Sequence, residues 1–115
     1  IFGAAKDQDI NSVLRLFPKT AHYYFTKAQI PRALPEEELL EIASHHGLKG
    51  KAYSSVNTAL YAASLKAGKN DLILVCGSVF VVGELSLESA KAIWGKEDNN
   101  GIFDAIEVAA WSFFR

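Results

Sequence analysis

Leu72-Ile73-Leu74-Val75-Cys76 is an unbroken apolar run of strand length. It lacks the alternation of a half-exposed strand, so both of its faces need cover, which suits a central strand between layers of helices. Gly77-Ser78 ends the run. In an open α/β sheet ligands bind outside the carboxyl ends of the strands. A glycine that admits close backbone approach and a serine that can hydrogen-bond therefore stand where a binding turn would lie.

The rest of the chain supplies the neighbours such a strand needs. Residues 1–5 read as a short apolar strand, and Asp7 as the N-cap of a helix carrying Ile10, Val13, Leu14 and Phe17 on one face until Pro18 ends it. Residues 22–26, aromatic and β-branched, read as the second strand; the loop that follows, 27–35, holds Pro31, Arg32 and Pro35. Pro35 is expected in the first turn of a helix whose acidic start, Glu36-Glu37-Glu38, suits the dipole. Leu39, Leu40, Ile42 and Ala43 give that helix its apolar stripe and Gly47 closes it. A third strand is weakly written at 49–53. After it Ser54 or Ser55 can cap a helix with Val56, Ala59, Leu60, Ala63 and Leu65 at helical spacing, ending at Gly68.

Beyond Ser78 local preference and context disagree. Val79 to Val82 favour a strand, yet Ser78 is a good N-cap and the chain has alternated strand and helix, so a helix is expected from Ser78 into the region of residues 86–94. Residues 95–101 read as a polar loop, and 102–114, with Phe103, Ile106, Ala110 and Phe113 at helical spacing, as a closing helix. The fold class is α/β, a mainly parallel sheet with helices on both faces.

Composition narrows the partners. At 115 residues, half of them hydrophobic, residues 1–115 make one domain with a real core. Twelve basic against thirteen acidic residues, a net charge of −1, leave no electrostatic footprint for nucleic acid or an anionic membrane. The single cysteine, Cys76, has no partner for an internal disulfide and reads as a small hydrophobe in a reducing compartment. No stretch approaches the roughly 20 apolar residues of a membrane span, and no basic-then-apolar leader opens the chain, so a cytoplasmic location is expected. The chain has no Met and opens Ile1-Phe2-Gly3-Ala4-Ala5, as if in mid-strand. It is expected to be a piece of something longer.

The candidate sites have plain alternatives. Gly77 and Gly83 meet neither glycine-rich phosphate pattern, and a nucleophile elbow fails because Cys76 and Phe80 stand where glycines are needed. Ser78 reads as a donor. With Gly77 it can hold a carboxylate through Oγ and free helix N–H groups, or form a capped turn. Asp7 and Asp9 flank Gln8 after the first strand, where they bind a cationic group or simply favour a helix N-terminus. Arg32, fixed by Pro31, can pair with a carboxylate or phosphate or bridge to a neighbouring domain. His45 and His46 are adjacent and face different ways, so no metal site is expected; His22 reads as structural or exposed.

Three segments taken in order resemble a known family. They are Gly3-Ala4-Ala5-Lys6-Asp7-Gln8-Asp9-Ile10, then Ile30-Pro31-Arg32-Ala33-Leu34, then residues 71–83 with Val75-Cys76-Gly77-Ser78-Val79-Phe80-Val81-Val82-Gly83. Together they are similar to the C-terminal domain of folylpolyglutamate synthase/dihydrofolate synthase in the Mur ligase superfamily. From about residue 86 onward no motif matches. The resemblance implies a Rossmann-like three-layer domain of the Mur ligase C-terminal type. It also implies a parent enzyme that uses ATP and Mg2+ to phosphorylate a folate carboxylate, after which the amino group of L-glutamate attacks the acyl phosphate to give an amide, ADP and phosphate. The nucleotide loop then belongs to an N-terminal ATPase domain of the same chain, and this domain alone is inactive. By matching position Ser78, with Gly77, would donate to the glutamate carboxylate, Asp7 and Asp9 would border the cleft, and Arg32 would be a loop contact. The family's Asp-Lys-Asp is Asp7-Gln8-Asp9 here, so a cation is missing, and Lys6 replaces it only if the backbone turns to aim it. The other reading is a non-catalytic α/β binding or interaction module; a G-x-x-x-x-G-K-[ST] loop upstream separates the two.

Overall fold

Aromatic and β-branched residues alternate with helical stretches along most of the chain, and the computed structural model turns that alternation into a parallel sheet. It describes residues 1–68, 70–78, 81 and 106–111; for Ser78 and residues 106–111 it describes the backbone. The elements are β1 (Phe2–Gly3), α1 (Ile10–Leu14), β2 (His22–Phe25), α2 (Glu36–His45), β3 (Lys49–Ala52), α3 (Val56–Lys66), β4 (Ile73–Ser78) and β5 (Ile106–Trp111). The strands lie in the order β3-β2-β1-β4-β5, every pair parallel. From β1 the chain winds outward through β2 to β3, then crosses back to place β4 on the other side of β1. The order reverses between β1 and β4, with Phe2 opposite Cys76 and Gly3 opposite Gly77.

Two cores result. Phe2, Tyr23, Phe25 and Cys76 meet Ile10 and Leu14 of α1 and Leu39 and Ala43 of α2 on one face. Ile1, Ile73 and Val75 meet Ala59, Leu60 and Ala63 of α3 on the other. The expected three-layer, Rossmann-like arrangement is therefore present. The first core is built on rings: Phe17 stacks on Tyr23 and Tyr23 on Phe25 at 5.9 and 5.7 Å, and Phe2 meets Phe17 edge-on at 5.1 Å. Such pairs add about 0.5–1.5 kcal/mol each beyond the area they bury.

The helix ends show local chemistry at work. Ser55, one of the two serines expected, caps α3 by accepting the Thr58 N–H at 3.1 Å, and Val56, Ala59, Leu60 and Ala63 are its buried stripe. Pro35 occupies the N-cap of α2, just outside the first turn. It contributes no side-chain bond, so the three glutamates that follow supply the compensation for the free N–H groups. Gly47 lies past the other end with φ +79°, a conformation that favours glycine.

Four expectations are corrected. Asp9, not Asp7, caps α1, because Ser12 offers it both an N–H and a hydroxyl. α1 stops at Leu14; Leu16 and Phe17 then bond three residues back, a tighter turn that still delivers Phe17 to the core. Ser78 is not a helix cap but the last residue of β4, where it pairs with Trp111. The closing helix expected over 102–114 is replaced by β5, whose residues pair one for one with β4 from Ile73–Ile106 to Ser78–Trp111. A short apolar run cannot be assigned by spacing alone, and the open edge of β4 offers a full set of backbone partners. Of the helix expected from Ser78 to residue 94, Val81 is described and is helical and buried; the remainder, with the loop at 95–101, lies outside the described residues.

Candidate functional site

The loops leaving β1 and β2 are sewn together. Leu34 N–H donates to Ala4 O at 2.9 Å, Lys6 N–H donates to Arg32 O at 2.8 Å, and Ala5 forms an antiparallel bridge with Ala33. The turn that sends the β2 loop back is closed by Ala33 N–H on Ile30 O, with Pro31 at its second position, where a fixed φ helps. This fold-back joins two residues 25 apart in sequence: Arg32 Nη2 reaches Asp7 Oδ2 at 3.1 Å. Their side chains are 53% and 69% exposed, so the pair contributes at most about 1 kcal/mol and orients more than it stabilises. Arg32 has five N–H donors in a planar fork, and this contact leaves others for a second anion.

Within the β1 loop each polar residue has a different commitment. Asp9 accepts the Ser12 hydroxyl at 2.6 Å and the Ser12 N–H at 3.4 Å, and these bonds, the hydroxyl first, lower its pKa. Gln8 Oε1 accepts the Ala5 N–H at 2.8 Å, while the Gln8 N–H donates to Ala5 O. Lys6 is exposed and has no ion pair among the described residues. The structure thus brings Lys6, Asp7 and Arg32 to one rim, and places Asp9 at a cap.

At the strand reversal itself there is backbone and little else. A Cβ on Gly3 would come within 2.6 Å of Val81 Cγ2 and 2.8 Å of Thr26 O; one on Gly77, whose φ is +117°, would come within 2.2 Å of Gly3 O. The two glycines face each other across β1 and β4. Ser78 follows at the carboxyl end of β4.

Several features were not anticipated from sequence. Thr26, just past β2, is fully buried, and its Oγ1 has no hydrogen-bond partner among the described residues. His46 Nε2 lies 2.8 Å from Asn11 Oδ1 and ties α2 to α1. Cys76, by contrast, is buried as expected of a small hydrophobe in the apolar run, and burial pushes its thiol pKa up. A cavity of about 690 Å³ opens at the opposite, amino end of the strands, lined among others by Phe17, His22, Tyr23, Lys66, Asp71 and Leu72. None of Lys6, Asp7, Asp9, Arg32 or Gly77 lines it. No signal in the sequence pointed to that cavity.

An all-parallel three-layer sheet with a strand reversal at its centre, and polar loops outside the carboxyl ends, defines a Rossmann-like α/β domain. Residues 1–79 match the Mur ligase, glutamate ligase domain family, and the chain belongs to it. The match runs from β1 to just past Ser78, so it takes in both stitched loops and the end of β4. No curated protein and no solved structure matches the chain. The family consists of ADP-forming amide ligases that use ATP and Mg2+, in which this domain binds substrate and works with an N-terminal domain. Among the described residues no helix is long and apolar enough to cross a membrane.

Proposed function

We propose that this chain is the C-terminal, glutamate-binding domain of a longer cytoplasmic ligase that adds L-glutamate to folate, extending tetrahydrofolate polyglutamates, converting dihydropteroate to dihydrofolate, or both. The observation that carries the ligase part is the family match over residues 1–79. The folate part rests on the three segments around Asp7-Gln8-Asp9, Pro31-Arg32-Ala33 and Gly77-Ser78.

The chain's own residues fit a binding task better than a phosphoryl-transfer task. No G-x-x-x-x-G-K-[ST] loop occurs in the sequence, and among the described residues no three metal-ligating side chains gather. ATP and Mg2+ are accordingly assigned to the N-terminal ATPase domain of the parent, and no step is drawn through them here. When bound, they would supply the phosphoryl group that activates the folate carboxyl. This domain holds the L-glutamate whose amino group attacks it. Ser78 and the Gly77 backbone at the strand reversal, with Lys6 and Arg32 on the neighbouring rim, give donors for the glutamate carboxylates, while Asp7 and Asp9 border the same cleft. Holding the amine beside the acyl group turns a bimolecular attack into a local one. Closure of the domain keeps water from the acyl phosphate.

The test is ADP release by the full-length parent with MgATP, L-glutamate and either tetrahydrofolate or dihydropteroate, in wild type and Ser78→Ala. Glutamate-dependent turnover, with the glutamate KM raised in the variant and the ATP KM little changed, is the expected result. No turnover with either acceptor removes the folate assignment; no turnover with any acceptor favours a non-catalytic binding module. Turnover untouched by the substitution keeps the enzyme and removes Ser78 from its site.

A further inference from the structure

The central strand is the shortest of those described. β1 has two residues, while β2 and β4, which flank it, have four and six. Phe2 stands opposite Phe25 on one side and Cys76 on the other. Back from that level β2 runs three residues, to His22, and β4 three residues, to Ile73, while β1 has only Ile1 to set beside them. Two levels of the flanking strands are therefore unmatched at the centre of the sheet. Neighbouring strands lie about 4.7–4.9 Å apart, so β2 and β4 stand there with the width of one strand between them. The cavity of about 690 Å³ lies at this place, and His22, Tyr23, Ile73 and Leu74 are among its walls.

The backbone on both sides is set for a continuing strand. Ile1 is already in the ladder, its C=O accepting the Cys76 N–H at 2.9 Å and its amine donating to Leu74 O at 2.8 Å. Thr26 N–H donates to Phe2 O at 2.9 Å, and along a strand every second residue turns its N–H and C=O the same way. His22 and Tyr24 therefore turn theirs toward the cavity from β2, as Leu74 does from β4. The Ile1 amine is buried and burial lowers its pKa, a setting that suits a neutral peptide N–H better than a charge.

We infer that the cavity at the amino end is the seat of the two residues that precede Ile1 in the parent protein, which extend β1 in parallel between β2 and β4. This rests on the part of the proposed function that makes the chain a piece of a longer protein. The side chain next to Ile1 falls on the face of Phe2, level with Tyr23 and Leu74; the one before it falls on the face of Ile1, level with His22 and Ile73. Tyr23 is buried and His22 exposed, so the first position calls for an apolar residue and the second is less demanding. Neither admits proline, which lacks the N–H that a central strand must donate. The cavity then belongs to the sheet and takes no separate ligand.

Amide hydrogen exchange in the full-length parent, without ligands, tests this at two atoms. The Tyr24 and Leu74 N–H groups would donate to the carbonyls of the first and second preceding residues, and both should exchange at least about a thousandfold more slowly than in an unfolded chain. Exchange at those two amides as fast as in an exposed loop, while Phe25 and Cys76 stay protected, overturns the inference. So does a proline at either position of the parent sequence, or a charged residue at the first. Protection that appears only on adding MgATP, L-glutamate or a folate gives the cavity to a ligand, and protection that grows with protein concentration gives it to a second copy; either result overturns the inference as well. A parent that releases no ADP with any acceptor defeats the ligase reading and leaves the exchange comparison intact.

Discussion

The two ends of the parallel sheet are built on different principles. At the amino end the strands flare around a cavity of about 690 Å³, and Leu72, the residue just before β4, is 63% exposed. At the carboxyl end the backbones of β1, β2 and β4 crowd together around Gly3, Thr26 and Gly77, and the loops beyond them are joined by hydrogen bonds and by the Arg32–Asp7 pair. Judged by hollow volume alone, the amino end would be the default ligand site. The strand reversal between β1 and β4 and the polar loops beyond it are why the site is proposed at the other end. Open α/β sheets generally take ligands where the strand order reverses, so hollow volume is a poor guide in this architecture.

The sharpest way to break that contrast is to load each end of one strand. Gly77→Ala is expected to cost roughly 2–5 kcal/mol, combining strain at a positive φ with a Cβ driven into Gly3 O. That is a large share of the 5–15 kcal/mol or so that holds a typical domain folded. Leu72→Ser at the open end should change stability by no more than about 0.5–1 kcal/mol. Urea midpoints of the two variants in the full-length parent decide it; equal losses would mean that the carboxyl end is no more tightly determined than the amino end.

A second substitution probes the crowded end from the opposite direction. Thr26 has nearly the shape of valine with a polar handle, and its buried Oγ1 has no hydrogen-bond partner among the described residues. Thr26→Val should stabilise the protein by about 1 kcal/mol, since it removes a desolvated hydroxyl and keeps the packing against its neighbours. A loss of stability in the same denaturation experiment would show that the hydroxyl is satisfied and that the end of β2 is wetter than its burial suggests.

The succession of strands and helices from β1 to β4, though not the order of the strands in the sheet, was legible because the helices carry apolar residues at regular spacing and Gly, Pro or a capping Ser or Asp punctuates the chain between elements. Residues 102–114 misled because Ile106 and Ala110 fit a helical spacing, while what decides the segment is the edge of β4, more than 25 residues earlier in the chain. In the site, Asp7, Asp9 and Arg32 were recognisable as chemically able residues. Their division of labour was not: whether an aspartate caps a helix or meets Arg32 depends on Ser12 in one case and on the fold-back of residues 30–34 in the other. Gln8 stood out only as the residue found where the family carries a lysine; that its Oε1 closes the loop by accepting the Ala5 N–H was not legible.

The smallest expected effect concerns that division of labour. The Ser12 hydroxyl and, less strongly, its N–H bond the Asp9 carboxylate and lower its pKa below the ordinary 3.8. A depressed carboxyl pKa contributes stability that is fully present above the unfolded-state value and is lost as pH falls through the folded-state value. Ser12→Ala should move the Asp9 pKa back toward 3.8, readable by NMR titration of its carboxyl carbon, and lower the denaturation midpoint slightly at pH 7. The difference from wild type should fade as pH falls from 3.8 through the lowered wild-type value, below which Asp9 carries its proton in both proteins. Because the carboxylate is wholly exposed and α1 is five residues long, the change in midpoint should be the least of the three. It should also leave the Arg32–Asp7 pair in place, since that pair is positioned by backbone bonds between residues 4–6 and 32–34 that Ser12 does not touch. A Ser12→Ala protein in which Arg32 no longer meets Asp7 would mean that the rim is held by the helix cap, and that the stitching between the two loops is too weak to present it alone.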